Sequence, residues 1–299
     1  MVSPWIPYRL LVWYTSLCAW VTFVAFWKYR KRMEENLSIA MAEEFPTEID
    51  RRGLIWRAWK NFSRGVLETS VVMHFTREQI VSTVSVEGED HLKRALARGK
   101  GVIALSAHLG SFTMIGARLA AAGYPFSVVV KQPGDKRFAR LIDAYRAQIG
   151  IKTIPAKPRR EAVRGILRAL RENGVVLMIA DEFKSGGIMV NFMGQRSPAP
   201  RGPATLALRT GAATLPMFAT RSADGSVVLT IRPEVELIQT PELENSVVAN
   251  TALFTRHLED MIRRYPDQWN WLGFPRDGRL RGSEIRQSEM ASRSDADLT

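Results

Sequence analysis

The sequence contains few of the residues on which several protein classes depend. Its single cysteine, Cys18, excludes an intramolecular disulfide framework and a cysteine-rich zinc module. Only one uncharged stretch, near the amino terminus, is long enough to reach across a bilayer, so a multi-pass transporter is excluded. The hydrophobic content of 46% excludes a wholly disordered chain and a collagen-like fibre.

Acidic residues are also scarce relative to basic ones: 30 against 42, which gives a formal net charge of +12. Such a charge attracts nucleic acid, anionic lipid or an acidic protein, and composition alone does not choose among them. The basic residues are scattered, without a zinc-finger, RNP-type strand or helix-turn-helix pattern. We therefore expect no nucleic-acid partner, and the length of 299 residues fits one large domain or two small ones.

The uncharged stretch runs from Leu10 to Trp27 and just reaches across a hydrocarbon core of roughly 30 Å if it is helical. A basic cluster, Lys28 to Arg32, follows it and predicts that the rest of the chain lies in the cytoplasm. A cleaved signal peptide would end in small residues, whereas this segment ends in FWKYRKR; a buried core helix is the other alternative. We expect residues 1–32 to anchor the chain at the inner (plasma) membrane, either spanning it or lying in its interface.

From Gly101 onward, short β-branched runs alternate with helical patterns. The runs GVIALSA, FSVVV, VVLMIA and VVLTI read as strands, and apolar residues recur at helical spacing between them, as from Val163 to Leu170. This predicts an α/β fold for residues 91–274, with a mainly parallel central sheet flanked by helices. Residues 33–90 read as a helical, membrane-proximal segment, and residues 275–299 as a polar, disordered tail.

Two polar clusters follow predicted strands, at the sheet edge where parallel sheets bind ligands. One is His108 to Ser111; the other is Asp181-Glu182. His108 is either a structural histidine or a general base, and Ser111 is suited to cap a helix whose free N–H groups favour an anion. The two acids either cap local structure or include a carboxylate that orients His108 and stabilises its protonated form.

Three sequence blocks resemble a known family. KGVIALSAHLGSF resembles the histidine block of the lysophospholipid acyltransferase superfamily. The stretch from Met178 to Phe218 resembles downstream blocks of its bacterial lipid A acyltransferase branch, and YPDQWNWLGF resembles that branch's Trp-rich carboxyl-terminal signature. The similarity covers roughly Leu54 to Phe274 and implies the glycerolipid acyltransferase-like fold.

The resemblance implies a membrane-anchored acyltransferase. Such an enzyme moves a fatty acyl chain from an acyl carrier protein or coenzyme A thioester to a hydroxyl of a lipid or glycolipid, without a cofactor or metal. His108 matches the family's general base. The candidates for substrate binding are Gly110, Ser111, Thr113, Asp181, and two arginines of a basic, glycine-containing loop that suits a phosphate group, Arg196 and Arg201.

The sequence departs from the family pattern at three places. The family block has an acidic residue where this chain has Thr113, whose hydroxyl carries no charge to stabilise an imidazolium. Glu182, where the family most often has glutamine, is the predicted catalytic substitute, and a non-catalytic lipid-binding or scaffolding relative is the alternative. The pair Gly273-Phe274 stands where the lipid A branch tends to have basic residues. This departure weakens lipid A itself as the expected acceptor, and another glycolipid or a lipid with a different polar headgroup is the alternative.

Overall fold

A computed structural model of the chain describes residues 8–72, 75–184 and 186–275. The β-branched runs of the sequence form extended strands. In chain order these are β1 Val84–Glu87, β2 Val102–Ser106, β3 Phe126–Val130, β4 Ile151–Pro155, β5 Val175–Ile179, β6 Ile188–Phe192, β7 Gln195–Ala199, β8 Ala213–Arg221 and β9 Val227–Ile231.

Segments with helical periodicity form helices, and several of these connect the strands. The helices are α1 Tyr8–Ala25, α2 Trp27–Ala40, α3 Glu48–Val72, α4 Arg77–Thr83, α5 Glu89–Leu96, α6 Thr113–Ala121, α7 Lys136–Gln148, α8 Arg159–Arg171, α9 Gly202–Thr210 and α10 Leu243–Arg264. Two short 3-10 helices, Pro266–Gln268 and Trp271–Gly273, follow α10.

The central sheet has seven strands in the order β1-β9-β8-β2-β5-β3-β4. Neighbouring strands are parallel except β8 and β9, which form an antiparallel pair. Strand β2 lies near the middle and is buried along its whole length, as a strand covered on both faces must be. The predicted α/β fold with a mainly parallel sheet flanked by helices is therefore confirmed.

Alternate residues of the central strands supply two separate cores. Ile103 and Leu105 of β2 pack with residues of α2, α3, α8, α9 and α10 on one face of the sheet. Val102 and Ala104 pack with residues of α4, α5 and α6 on the other face. The period of two along a strand thus divides the helices into two layers.

Three strand regions were not recognised from the sequence. Strand β1, inside the segment 33–90 that was expected to be helical, pairs with β9 at one edge of the sheet. Strand β4, with its proline and polar residues, forms the other edge. The basic loop around Gly194 is the turn of a separate antiparallel hairpin, β6–β7.

The amino-terminal region forms two helices instead of one continuous apolar helix. Helix α1 ends at Ala25, and α2 begins at Trp27 after a break at Phe26. Within the ranges that the structure describes, no helix is both long enough and apolar enough to cross a membrane, so a spanning helix, one of the two expected arrangements, is not supported. The predicted tail lies outside the described residues from position 276 onward.

Candidate active site

His108 and Asp181 lie at the same edge of the sheet because β2 and β5 are parallel neighbours. Ser106 of β2 is paired with Ile179 of β5. His108 comes two residues after Ser106, and Asp181 comes two residues after Ile179. The imidazole Nδ1 of His108 is 2.9 Å from Oδ1 of Asp181. An ionised carboxylate only accepts hydrogen bonds, so the proton of the neutral imidazole is assigned to Nδ1, and Nε2 then has the free lone pair.

Asp181 is held by three donors. Besides the imidazole on Oδ1, the backbone N–H of His108 and the indole N–H of Trp269 both donate to Oδ2, over 2.8 and 2.9 Å. Asp181 is 5% exposed, so these bonds replace nearly all of the water that the carboxylate loses on folding. His108 is less buried, with 35% of its side chain exposed.

The surroundings of His108 act on its pKa in opposite directions. Burial disfavours the charged imidazolium and lowers the pKa of His108, whereas the hydrogen bond and the negative charge of Asp181 raise it. The attraction to Asp181 outweighs burial, so the pKa of His108 lies above its ordinary value. The site therefore stabilises the imidazolium that forms when His108 accepts a proton.

Glu182 does not take the place that the sequence analysis gave it. Its exposed carboxylate forms an ion pair with Lys184, and no hydrogen bond joins it to His108 within the described part of the chain. The reason is the alternation of side chains beyond the end of β5, which turns residue 181 toward the imidazole and residue 182 toward solvent. The carboxylate that orients His108 is the buried one of Asp181.

The turn after His108 requires glycine at position 110. Gly110 has a φ of 59°, in the left-handed region that glycine occupies most easily. A Cβ atom there would lie 2.3 Å from the carbonyl oxygen of Ala219, closer than any non-bonded contact allows. Its backbone N–H donates to the carbonyl of Gln268, so the turn is joined to the segment that carries Trp269. Gly110 therefore shapes the site through its backbone.

Ser111 is positioned by its hydrogen bonds and does not cap α6 as predicted. Phe112 is the N-cap residue of that helix. The Ser111 hydroxyl accepts a hydrogen bond from Arg221 Nη2 over 3.0 Å, and its N–H donates to the carbonyl of Ala219. Gln268 in turn exchanges two hydrogen bonds with the backbone of Arg221. These contacts hold the His108 turn against β8 and the segment after α10.

Thr113 does not contact the imidazole through its hydroxyl. Its Oγ1 lies 2.9 Å from Oγ1 of Thr69, on α3, and the two hydroxyls share a hydrogen bond. The ring that touches His108 is that of Phe112, edge-on, with 5.1 Å between the ring centres. The neutral Thr113 thus joins α3 to α6, and the negative charge beside His108 comes from Asp181 on a different strand.

The two predicted phosphate-binding arginines lie apart from this cluster. Arg196 is exposed on the β6–β7 hairpin, paired in register with Asn191. Arg201 precedes α9 and forms an ion pair of 2.6 Å with Glu244 of α10. Neither arginine lines the cavity that contains His108.

A cavity of about 270 Å³ has His108 in its wall. The turn residues Gly110 to Thr113 line it together with α3 and the segment Gln268 to Asn270. A larger cavity of about 520 Å³, lined by α1, α2 and α3, shares four wall residues with it: Phe62, Val66, Trp269 and Asn270. The second cavity is mostly apolar and is named here the apolar groove.

The contacts of Trp269, Arg221 and Thr69 and the apolar groove could not be predicted from the sequence. Trp269 belongs to the Trp-rich block that resembles the family signature, but that block does not indicate which residue its indole N–H bonds to. The other contacts join positions separated by tens of residues, such as Thr69 to Thr113 and Ser111 to Arg221. No spacing pattern in the sequence predicts such contacts, because they depend on how the layers pack.

Comparison with known proteins shows which family the sequence resembles. Residues 2–273 match the model of a family described as bacterial lipid A biosynthesis acyltransferase. A phosphatidylinositol mannoside acyltransferase of Mycolicibacterium smegmatis is 28% identical over 61% of this chain and 59% of its own length. A similarly named protein of Mycobacterium tuberculosis is 34% identical over 44% of this chain and 42% of its own.

A third relative is similar over a longer stretch. The lipid A biosynthesis palmitoleoyltransferase of Escherichia coli is 25% identical over 80% of this chain and 75% of its own length. The chain spans less than two thirds of the two mycobacterial relatives. Because the family model covers more than half of the sequence, the chain belongs to the bacterial lipid A biosynthesis acyltransferase family.

Proposed function

We propose that this protein transfers a fatty acyl chain from a thioester to a hydroxyl group of a glycolipid, with His108 as the general base. The observation that carries the proposal is the hydrogen bond between His108 and the buried Asp181, with His108 in the wall of a cavity that adjoins the apolar groove. A base with a stabilised charged form and a neighbouring apolar space are the two features that acyl transfer to a lipid needs.

The chemistry requires no covalent intermediate on the enzyme. Nε2 of His108 accepts the proton of the acceptor hydroxyl while that oxygen attacks the thioester carbonyl carbon. The tetrahedral oxyanion then collapses, the carbon–sulfur bond breaks, and His108 returns its proton to the leaving thiolate. The first turn of α6, at Phe112 and Thr113, lines the same cavity and offers backbone N–H groups to the oxyanion.

The apolar groove is the proposed site of the fatty acyl chain. Cys18 and Thr22 of α1 and Ala58 and Trp59 of α3 are among the residues that line it, and the lining is mostly apolar. Phe62, in the wall shared with the His108 cavity, is also exposed, so the groove opens to the surface near the reacting groups. A saturated chain placed there is removed from water, which stabilises binding by about 0.8 kcal/mol for each buried CH₂ group.

A substitution in the groove tests this placement. Cys18→Phe fills part of the groove and should raise the KM for long-chain donors while short-chain donors are still used. Leu17→Phe is the matched control, since Leu17 is exposed on the same helix and does not line the groove. Equal effects of the two substitutions would contradict an acyl site in the groove.

The acceptor and donor are proposed from the family. The relatives are named for transfer to phosphatidylinositol mannoside and in lipid A biosynthesis, so a glycolipid hydroxyl is the proposed acceptor. The proposed donor is an acyl carrier protein or coenzyme A thioester. Comparing the lipids of cells with and without the gene by mass spectrometry should show one glycolipid that lacks a single acyl chain.

We also propose that the protein works at the cytoplasmic surface of the inner membrane. Helix α1 exposes a set of large apolar side chains: Leu17, Trp20, Val21 and Val24. Lys28 follows at the start of α2, so apolar and basic groups adjoin, as they do on helices that lie in a membrane interface. Trp20→Ser should weaken sedimentation with anionic phospholipid vesicles, whereas Ile49→Ser, at an exposed position of α3, should not.

The decisive experiment measures thiol release from an acyl thioester in the presence of glycolipid. His108→Ala should reduce kcat by about 10²- to 10⁴-fold, the usual contribution of a general base. His91→Ala is the control, because His91 is on α5 and contacts Arg94 instead of the cavity. Turnover that survives His108→Ala contradicts the mechanism, and a native protein without turnover would favour the scaffolding alternative.

A further inference from the structure

Trp269 is the most deeply buried group that touches the His108–Asp181 pair. It is 2% exposed, and its indole N–H donates to Oδ2 of Asp181 over 2.9 Å. Its backbone forms an antiparallel bridge with Leu109, the residue after His108. Trp269 is therefore tied to both halves of the pair, to the carboxylate by its side chain and to the histidine strand by its main chain.

The hydrogen bonds at Oδ2 fix the orientation of the carboxylate. Oδ2 accepts from the backbone N–H of His108 and from the indole of Trp269, and both donors are fixed in position by packing. Rotation of the carboxylate about its Cβ–Cγ bond would break both bonds and leave two buried donors unsatisfied. Oδ1 consequently stays directed at Nδ1 of His108.

We propose that Trp269 is a positioning residue for acyl transfer: its indole N–H holds the Asp181 carboxylate so that Oδ1 orients the imidazole of His108. This inference rests on the proposed function, since it gives Trp269 a role in the same reaction. Trp269 acts through Asp181, and its indole N–H transfers no proton in the reaction.

The indole N–H also controls how strongly His108 holds its proton. A hydrogen bond to Oδ2 draws negative charge toward the indole and away from Oδ1. Without it, more charge remains on Oδ1 and the imidazolium is stabilised further. The pKa of His108 should then rise, and the acid limb of the pH–rate profile should move to higher pH.

Trp269→Phe removes the N–H and keeps most of the apolar ring. We expect kcat at pH 7 to fall about tenfold, corresponding to the loss of one charge-assisted hydrogen bond. The KM for the acyl donor should change less than kcat, because the lost hydrogen bond orients the base, whereas the apolar ring that lines both cavities is largely kept. The position of the acid limb does not depend on how much of the protein is folded, so it reports on His108 even if the variant is less stable.

Trp271→Phe is the matched control. Trp271 is as buried as Trp269 and has a bonded indole N–H, but that group donates to the carbonyl of Pro266 over 2.7 Å. Its ring also packs edge-on against Trp269, with 5.0 Å between the ring centres, so Trp271→Phe alters the packing of Trp269 but keeps the indole N–H on Asp181. The substitution should leave kcat within about twofold and the acid limb in place. Equal loss of kcat in the two variants, or an acid limb that Trp269→Phe does not move, would overturn the proposal.

A second comparison separates this inference from the proposed function. In an Asp181→Asn background, adding Trp269→Phe should have no further effect on the acid limb, because the carboxylate through which Trp269 acts is gone. An undiminished effect there would also overturn the positioning role. Failure of the proposed function would instead appear as turnover that persists in His108→Ala, whatever Trp269→Phe does.

Discussion

Replacing Asp181 by asparagine removes the negative charge beside His108 and keeps the size of the side chain. In the native protein, the carboxylate oxygen is 2.9 Å from Nδ1. At an effective dielectric constant of about 20, the attraction of two unit charges at that distance is about 6 kcal/mol. His108 is 35% exposed, so water screens part of this attraction, and about half is a reasonable working value.

About 3 kcal/mol corresponds to roughly a 10²-fold loss of kcat, since each 1.36 kcal/mol is tenfold in rate. The amide also presents an N–H₂ group that favours the wrong imidazole tautomer; in the serine-protease template, an equivalent substitution costs about 10⁴-fold. We therefore expect kcat of Asp181→Asn to fall by between about 10² and 10⁴, with little change in the KM for the donor.

The pH dependence has a definite sign. Asp181 raises the pKa of His108 against the lowering effect of burial, so its removal leaves burial opposed only by the weaker attraction of Glu182. The acid limb of the thiol-release profile should move to lower pH. Glu182→Gln is the comparison for kcat, because the exposed Glu182 pairs with Lys184 and its substitution should change kcat little. If Glu182→Gln costs as much as Asp181→Asn, the assignment of Asp181 as the orienting carboxylate is refuted.

Three further predictions address the same region. Gly110→Ala should lower the free energy of unfolding by about 3 kcal/mol, measured by urea titration. The alanine would have a left-handed φ and a Cβ atom 2.3 Å from the carbonyl oxygen of Ala219. Unchanged stability would mean that the turn relaxes. Since the folded-state pKa of His108 is raised, its stabilising contribution is complete below about pH 6.5 and is lost as pH rises through the folded pKa. His108→Ala should therefore cost more stability at pH 6 than at pH 8.5 in the same assay. Arg201→Gln breaks the exposed ion pair with Glu244 and should change the free energy of unfolding by less than about 1 kcal/mol. It should change KM by less than about twofold, and a large rise in KM would show that Arg201 binds substrate.

Much of the fold could be predicted from local patterns. Strands β3 and β9 begin and end at the predicted residues, because a short β-branched run between turn residues has few other stable conformations. Strands β1 and β4 were missed, since edge strands bury only part of their surface and have weaker patterns. The length of the amino-terminal apolar run indicated a membrane span, but the break at Phe26 divides it into two helices.

Local periodicity in the sequence was enough to predict the alternation of strands and helices. Because the carboxyl ends of parallel strands lie at one edge of a sheet, it also predicted the edge where His108 and Asp181 lie. The packed fold was needed to show which of two adjacent acids contacts the imidazole, that Thr113 bonds to Thr69, and that Trp269 donates to the carboxylate. These contacts join residues 44 to 88 positions apart, and they are decided by how side chains pack between layers, which no local pattern specifies.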